Sequence, residues 1–225
     1  MKSIDTQLQQ YAWCMHAIKH RIDFLAQLLA GNKGQVSTKH LLPDVEVGTV
    51  QLRKSLELIA MASITANESE YSAVHETFKK QWNASLIIRD IERINPDFYP
   101  KPIMLLSDGK VELEPSLDFL TKDKFIKLYE WCGSRLHALN PYRADRDEGM
   151  KYKNDLQKIE SGRQLIVKLL NQHRTVLSGN KTEIWCLMAS PSNSGKPQAF
   201  LMNKIPAQQA APADGGANAP PSAEL

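Results

Sequence analysis

The chain has 225 residues, 42% hydrophobic and 24% charged, an ordinary globular composition that allows a real core. Its net charge of +3 is compatible with nucleic-acid contact but does not argue for it, since dedicated binders concentrate positive charge on one face. Three widely spaced cysteines, Cys14, Cys132 and Cys186, make neither a disulfide framework nor a zinc motif, and neither a signal peptide nor a membrane-spanning apolar run stands out, so the sequence predicts a cytoplasmic protein with reduced thiols and no membrane partner.

Ile4, Leu8, Tyr11, Met15, Ile18, Ile22, Leu25 and Leu29 alternate steps of four and three. That is a heptad-like seam on one long helix, closed by Gly31. Such a helix needs a long partner, in this chain or in a second copy. His16 and His20 lie one turn apart on its polar flank without a third ligand, so they read as solvated and no metal is expected. Residues 31–48 read as a loop containing Gly31, Gly34, Pro43 and Gly48. A helix follows over about 49–66, apolar around so much of its circumference that it belongs at the centre of a bundle. A shorter helix is predicted over about 70–80. Asn83 then caps another, with Ile87, Ile88, Ile91 and Ile94 inward and Asn95-Pro96 as its stop.

Three prolines hold residues 95–102 extended, with Phe98 and Tyr99 pinning the segment to the bundle. Residues 104–106 and 111–113 flank Asp108-Gly109 and predict a β-hairpin within about 103–114. Thr121 is a candidate N-cap for the next helix, and Asp123 complements its dipole. Phe125, Leu128, Tyr129, Cys132, Leu136 and Leu139 form its core stripe, with Asn140-Pro141 as the end. A charged loop, then a helix over about 148–173, follow; Tyr152, Leu156, Ile159, Ile166 and Leu170 make its seam, with Arg163 at the middle seam position. Residues 175–177, 183–189 and 198–203 predict a small antiparallel meander, and the Ala/Gln/Pro/Gly tail from Pro206 reads as disordered. The predicted fold class is therefore mainly α: a helical bundle over 1–174 with a small β-hairpin insertion, a short C-terminal antiparallel β-meander over 175–205 packed on it, and a tail over 206–225.

Few residues carry chemistry. The Gly195-Lys196 pair lacks the first glycine of a phosphate loop, has Pro197 where a Ser/Thr belongs, and precedes a strand rather than a helix. His137 lies on the flank of the central helix stripe with Gly133 one turn beneath it. Either Gly133 admits a ligand or another backbone and leaves His137 at the edge of a small cleft, or it permits tight helix packing and His137 meets a buried polar partner. Trp131 and Arg135, one turn apart, are spaced for a cation–π pair. Arg163 is buried, at a helix edge, facing an acidic partner, or a side chain lying over a packing surface.

The N-terminal helix pair, the central helix with an acidic residue (RKSLELIA, Glu57) and the later CGSRLHALNP segment together resemble the HEPN superfamily over roughly residues 1–175. The resemblance implies a helical bundle, a homodimer and a prokaryotic defence or toxin–antitoxin setting. Ribonuclease members carry an arginine four to six residues before a histidine and cleave RNA without metal. His137 matches that histidine, but Tyr129 to Gly133 contains no arginine, and Arg135 is too near. This departure favours a non-catalytic protein, and the two four-three seams predict that it self-associates through the first or last long helix and binds a protein or RNA partner, with Arg135, Asn140, Arg143, Arg146 and Arg163 as binding candidates and no cofactor. Its alternative is a metal-independent endoribonuclease using His137. A third reading is a small-molecule binder with a cleft beside Gly133.

Overall fold

The computed structural model describes residues 4–30, 38–68, 83–105, 111–113, 118–137, 148–177, 182–190 and 193–203. The predicted helix over 70–80, the hairpin turn at 106–110 and the tail lie outside the described residues.

Helix α1 (Ile4–Leu29) buries Tyr11, Met15, Ile18, Ile22 and Leu25 of the predicted seam. Its long partner is in the same chain: α2 (Leu41–Ala66) runs against it. The seam weakens at its start, where Ile4 is exposed. Helix α2 begins eight residues earlier than the sequence reading placed it. Pro43 falls in its first turn, where a missing N–H costs no hydrogen bond, and Asp44 meets the positive end of the dipole. The Asp44 carboxylate also accepts from the Thr38 backbone N–H (2.9 Å) and hydroxyl (2.8 Å), holding the incoming chain. Gly48 is not a loop glycine. A Cβ there would meet Ile159 at 3.0 Å, so its absence lets α2 approach the last helix. Helix α2 packs against every other helix described, as its broad apolar surface predicts.

Helix α3 (Ala84–Ile94) is capped by Asn83, whose side-chain oxygen accepts from the N–H groups of Ser85 (3.1 Å) and Leu86 (3.2 Å). At its other end the Asn95 side chain donates to the side-chain oxygen of buried Asn67 (2.8 Å), tying α3 to the end of α2. Phe98 and Tyr99 are buried after it, and the Tyr99 hydroxyl donates to the Leu120 carbonyl at 2.9 Å. Tyr99, Phe125 and Tyr129 continue this contact as a chain of edge-on and stacked rings.

Strands β1 (Lys101–Leu105) and β2 (Val111–Leu113) form the hairpin, with Ile103 opposite Leu113. Helices α4 (Lys122–Arg135) and α5 (Glu148–Leu170) follow. Helix α5 stops three residues before the predicted end, because Gln172 already opens β3 (Gln172–Val176). Strands β4 (Thr182–Ser190) and β5 (Lys196–Asn203) complete one antiparallel sheet of order β2-β1-β3-β4-β5. The hairpin and the meander, read as separate pieces, share this sheet through the pairing of Pro102 with His173. Ser194 and Gly195 both have positive φ and make the turn between β4 and β5, so the segment resembling a phosphate loop is a hairpin turn.

Candidate functional site

Thr121 caps α4, its hydroxyl oxygen accepting from the Lys124 N–H at 3.4 Å. Phe125, Leu128, Tyr129 and Cys132 form the buried stripe, as predicted. The helix then ends at Arg135 rather than continuing to Leu139, and the predicted stop at Asn140-Pro141 lies outside the described residues. Gly133 and Ser134, both poor helix formers, occupy the last turn, and the Ser134 hydroxyl donates to the Trp131 carbonyl at 2.8 Å. In consequence Leu136 is a surface side chain, 40% exposed, not part of the core.

His137 follows the helix end and is exposed. It lines a cleft of about 570 Å³ where three helix ends meet. The first turns of α2 supply Leu42, Val45, Glu46 and Val50; α4 supplies Ser134, Arg135 and Leu136; α5 supplies Lys151, Tyr152 and Asp155. Arg135 is committed within this cleft. Its Nε and Nη2 each lie 3.1 Å from Oδ1 of Asp155, a carboxylate that is almost wholly buried. The guanidinium also sits 5.8 Å from the Trp131 ring, the predicted cation–π pair, and Lys158 approaches the same ring at 5.0 Å. Arg135 therefore compensates a buried charge and ties α4 to α5.

Arg163 stands elsewhere, on the wall of a separate 610 Å³ cavity between the end of α1, the start of α2, and α5. It makes a two-point ion pair with Glu160, both contacts 2.7 Å, which holds the Glu160 carboxyl below its usual range. Of the acidic-partner and packing readings left open for Arg163, the first describes its position. The structure thus brings together His137 and Arg135 but not Arg163, and Asn140, Arg143 and Arg146 lie outside the described residues.

The space beside Gly133 is taken by a side chain, not left for a ligand. A Cβ at Gly133 would meet Arg53 Nη1 at 3.0 Å. Arg53 donates to Glu57 (3.1 Å) and to the Tyr129 hydroxyl (2.7 Å), and its guanidinium lies 4.2 Å from the Tyr129 ring centroid. Glu57, the acidic residue of the resemblance, is therefore held in a network joining α2 to α4; the spacing of Arg53 and Glu57 by four residues on one helix was the available signal.

A second network has no local signature in the sequence. His173 is fully buried on β3, and its Nδ1 lies 2.8 Å from the Leu170 carbonyl oxygen. A carbonyl only accepts, so Nδ1 carries the proton and Nε2 accepts from the Tyr11 hydroxyl at 2.7 Å. Burial pushes the imidazole down to about 4 and the Tyr11 phenol well up. The pair joins α1 to the sheet with both partners neutral. Cys14, Cys132 and Cys186 are free, buried thiols, each pushed up to about 12 by burial, and are poor nucleophiles at neutral pH. No helix among the described residues is long and apolar enough to cross a membrane.

Comparison with known proteins gives no match to any family model, curated protein or solved structure.

Proposed function

We propose that the chain is a non-catalytic, HEPN-like helical protein that pairs with a second copy of itself and holds a protein or RNA partner at the cleft between α2, α4 and α5. The observation carrying this reading is the rim of that cleft. Leu42 and Leu136 are 41% and 40% exposed beside Val45 and Val50, and Met150, 55% exposed, precedes Lys151 of the cleft wall. Apolar side chains gathered around one concave surface favour a macromolecular contact. The long seams of α1 and α5 no longer support self-association, because their central residues are buried within the chain. Two-fold pairing across the cleft rim instead brings two copies of His137 toward one axis. Size-exclusion chromatography with light scattering tests the reading. A dimer that Leu42→Asp converts to a folded monomer is expected; a strict monomer that binds neither RNA nor protein removes it.

A metal-independent ribonuclease is the second reading, favoured by Lys151, which lines the same cleft as exposed His137. An imidazole there can accept a proton from a ribose hydroxyl while an ammonium faces the phosphate. Incubation with total RNA decides it. Cleavage by the wild type that both His137→Ala and Lys151→Ala abolish supports this reading; equal cleavage by all three, or none, rejects it.

A further inference from the structure

The face of the sheet turned away from the helices carries a row of side chains that neither reading uses. Successive residues of a strand point to opposite faces, and Ile184, Cys186, Ala199 and Leu201 pack into or against the core. Their neighbours Glu183, Trp185, Phe200 and Met202 therefore point outward. Phe200 and Met202 are 38% and 40% exposed, large apolar side chains on β5, the edge strand of the sheet among the described residues.

Register aligns four outward positions across four strands. Lys101 of β1 pairs with Arg174 of β3, Arg174 with Trp185 of β4, and Trp185 with Phe200 of β5. At the usual spacing of about 4.8 Å between strands, this row of two cations and two aromatic rings spans roughly 14 Å. Its centre is held in place. Glu183 is buried, accepts from Arg174 Nη1 at 3.0 and 3.2 Å, and accepts from the Trp185 indole N–H at 2.9 Å. The indole thus has a fixed orientation next to a guanidinium. Among the described residues Lys101 pairs with Asp97, at 2.8 Å, and both are well exposed, so a phosphate can replace that contact at little cost.

We infer that this face binds single-stranded nucleic acid, with bases stacked on Trp185 and Phe200, the Arg174 guanidinium held beside them by Glu183, and a phosphate drawn to Lys101. Adjacent aromatic rings suit any base, because every base has a π-face, and cations beside them complement the backbone charge. A polypeptide would use the apolar rings but has no need of the cations in line with them. A duplex keeps its bases stacked internally and cannot use the rings.

Fluorescence anisotropy of labelled 12-nucleotide single-stranded RNA and DNA, titrated with the full chain at low salt, tests the inference, with the matching duplex as comparison. Saturable binding to the single strands is expected, at least about tenfold tighter than to the duplex. Engaging one phosphate gives a slope of about −0.7 for log affinity against log salt. Phe200→Ala and Trp185→Ala each weaken binding by roughly five- to a hundredfold, Lys101→Gln lowers the salt slope, and Trp13→Ala, on a ring 64% exposed on α1, changes nothing. If Trp185→Ala lowers the melting temperature, Phe200→Ala decides alone, since its ring is already partly in solvent. Absence of binding up to about 100 µM protein, equal binding to duplex, or binding untouched by Phe200→Ala overturns the inference. So does a dimer that Phe200→Ala dissociates, which would assign this face to a second copy of the chain.

Discussion

His173 shows how much one side chain can hold while doing no chemistry. It sits where α5 passes into β3, donates back to the helix and accepts from α1, and so fixes three elements at once. Its folded pKa of about 4 lies below the unfolded value near 6.5, so the unfolded chain binds the extra proton between these values. Stability from this residue is complete above about pH 6.5 and is lost as pH falls toward 4, by about 3 kcal/mol in all. Thermal melts between pH 7 and 4.5 should show this loss, and His173→Gln should flatten that part of the profile while lowering stability at pH 7. A wild-type melting temperature independent of pH across this range contradicts the assignment. Arg135 makes a different prediction. Removing it by Arg135→Ala strands the buried Asp155 carboxylate and should cost about 3 kcal/mol or more in chemical denaturation. A change under about 0.5 kcal/mol would show that the pair does not bridge α4 and α5.

Among the elements, those whose ends are set by local chemistry were read most accurately. Asn83 and Thr121 accept first-turn N–H groups where the sequence placed them, and Asn83→Ala is expected to cost about 1 kcal/mol in stability. A melting temperature unchanged by that substitution would argue against the cap. Ends set by tertiary contact are not legible in the local sequence. Pro43 and Gly48 look like loop residues in isolation, yet one tolerates the first turn of α2 and the other is needed for Ile159 to pack. Helix α4 ends early because of Gly133 and Ser134, a local signal outweighed in the sequence reading by the periodic Leu136 and Leu139. Periodicity alone carries the last helix on to His173, because it follows a clean seam and nothing in its neighbours announces the distant Tyr11 hydroxyl. The histidine at the cleft edge was anticipated, but not the cleft, which is assembled from residues more than ninety positions apart in sequence.

At the scale of the molecule, the helices bury their long seams on one another and on one sheet, and two unlike surfaces stand out among the described residues. One is the concave junction of three helix ends, with an apolar rim and His137 at its edge. The other is the outward sheet face with its line of cations and rings. The cleft rim carries the proposed pairing, and sedimentation velocity over a range of concentrations tests it most directly. Wild-type chain and Phe200→Ala should sediment as a dimer, and Leu136→Asp as a monomer with unchanged melting. A wild type that remains monomeric at about 100 µM, or a dimer indifferent to Leu136→Asp, would contradict the account.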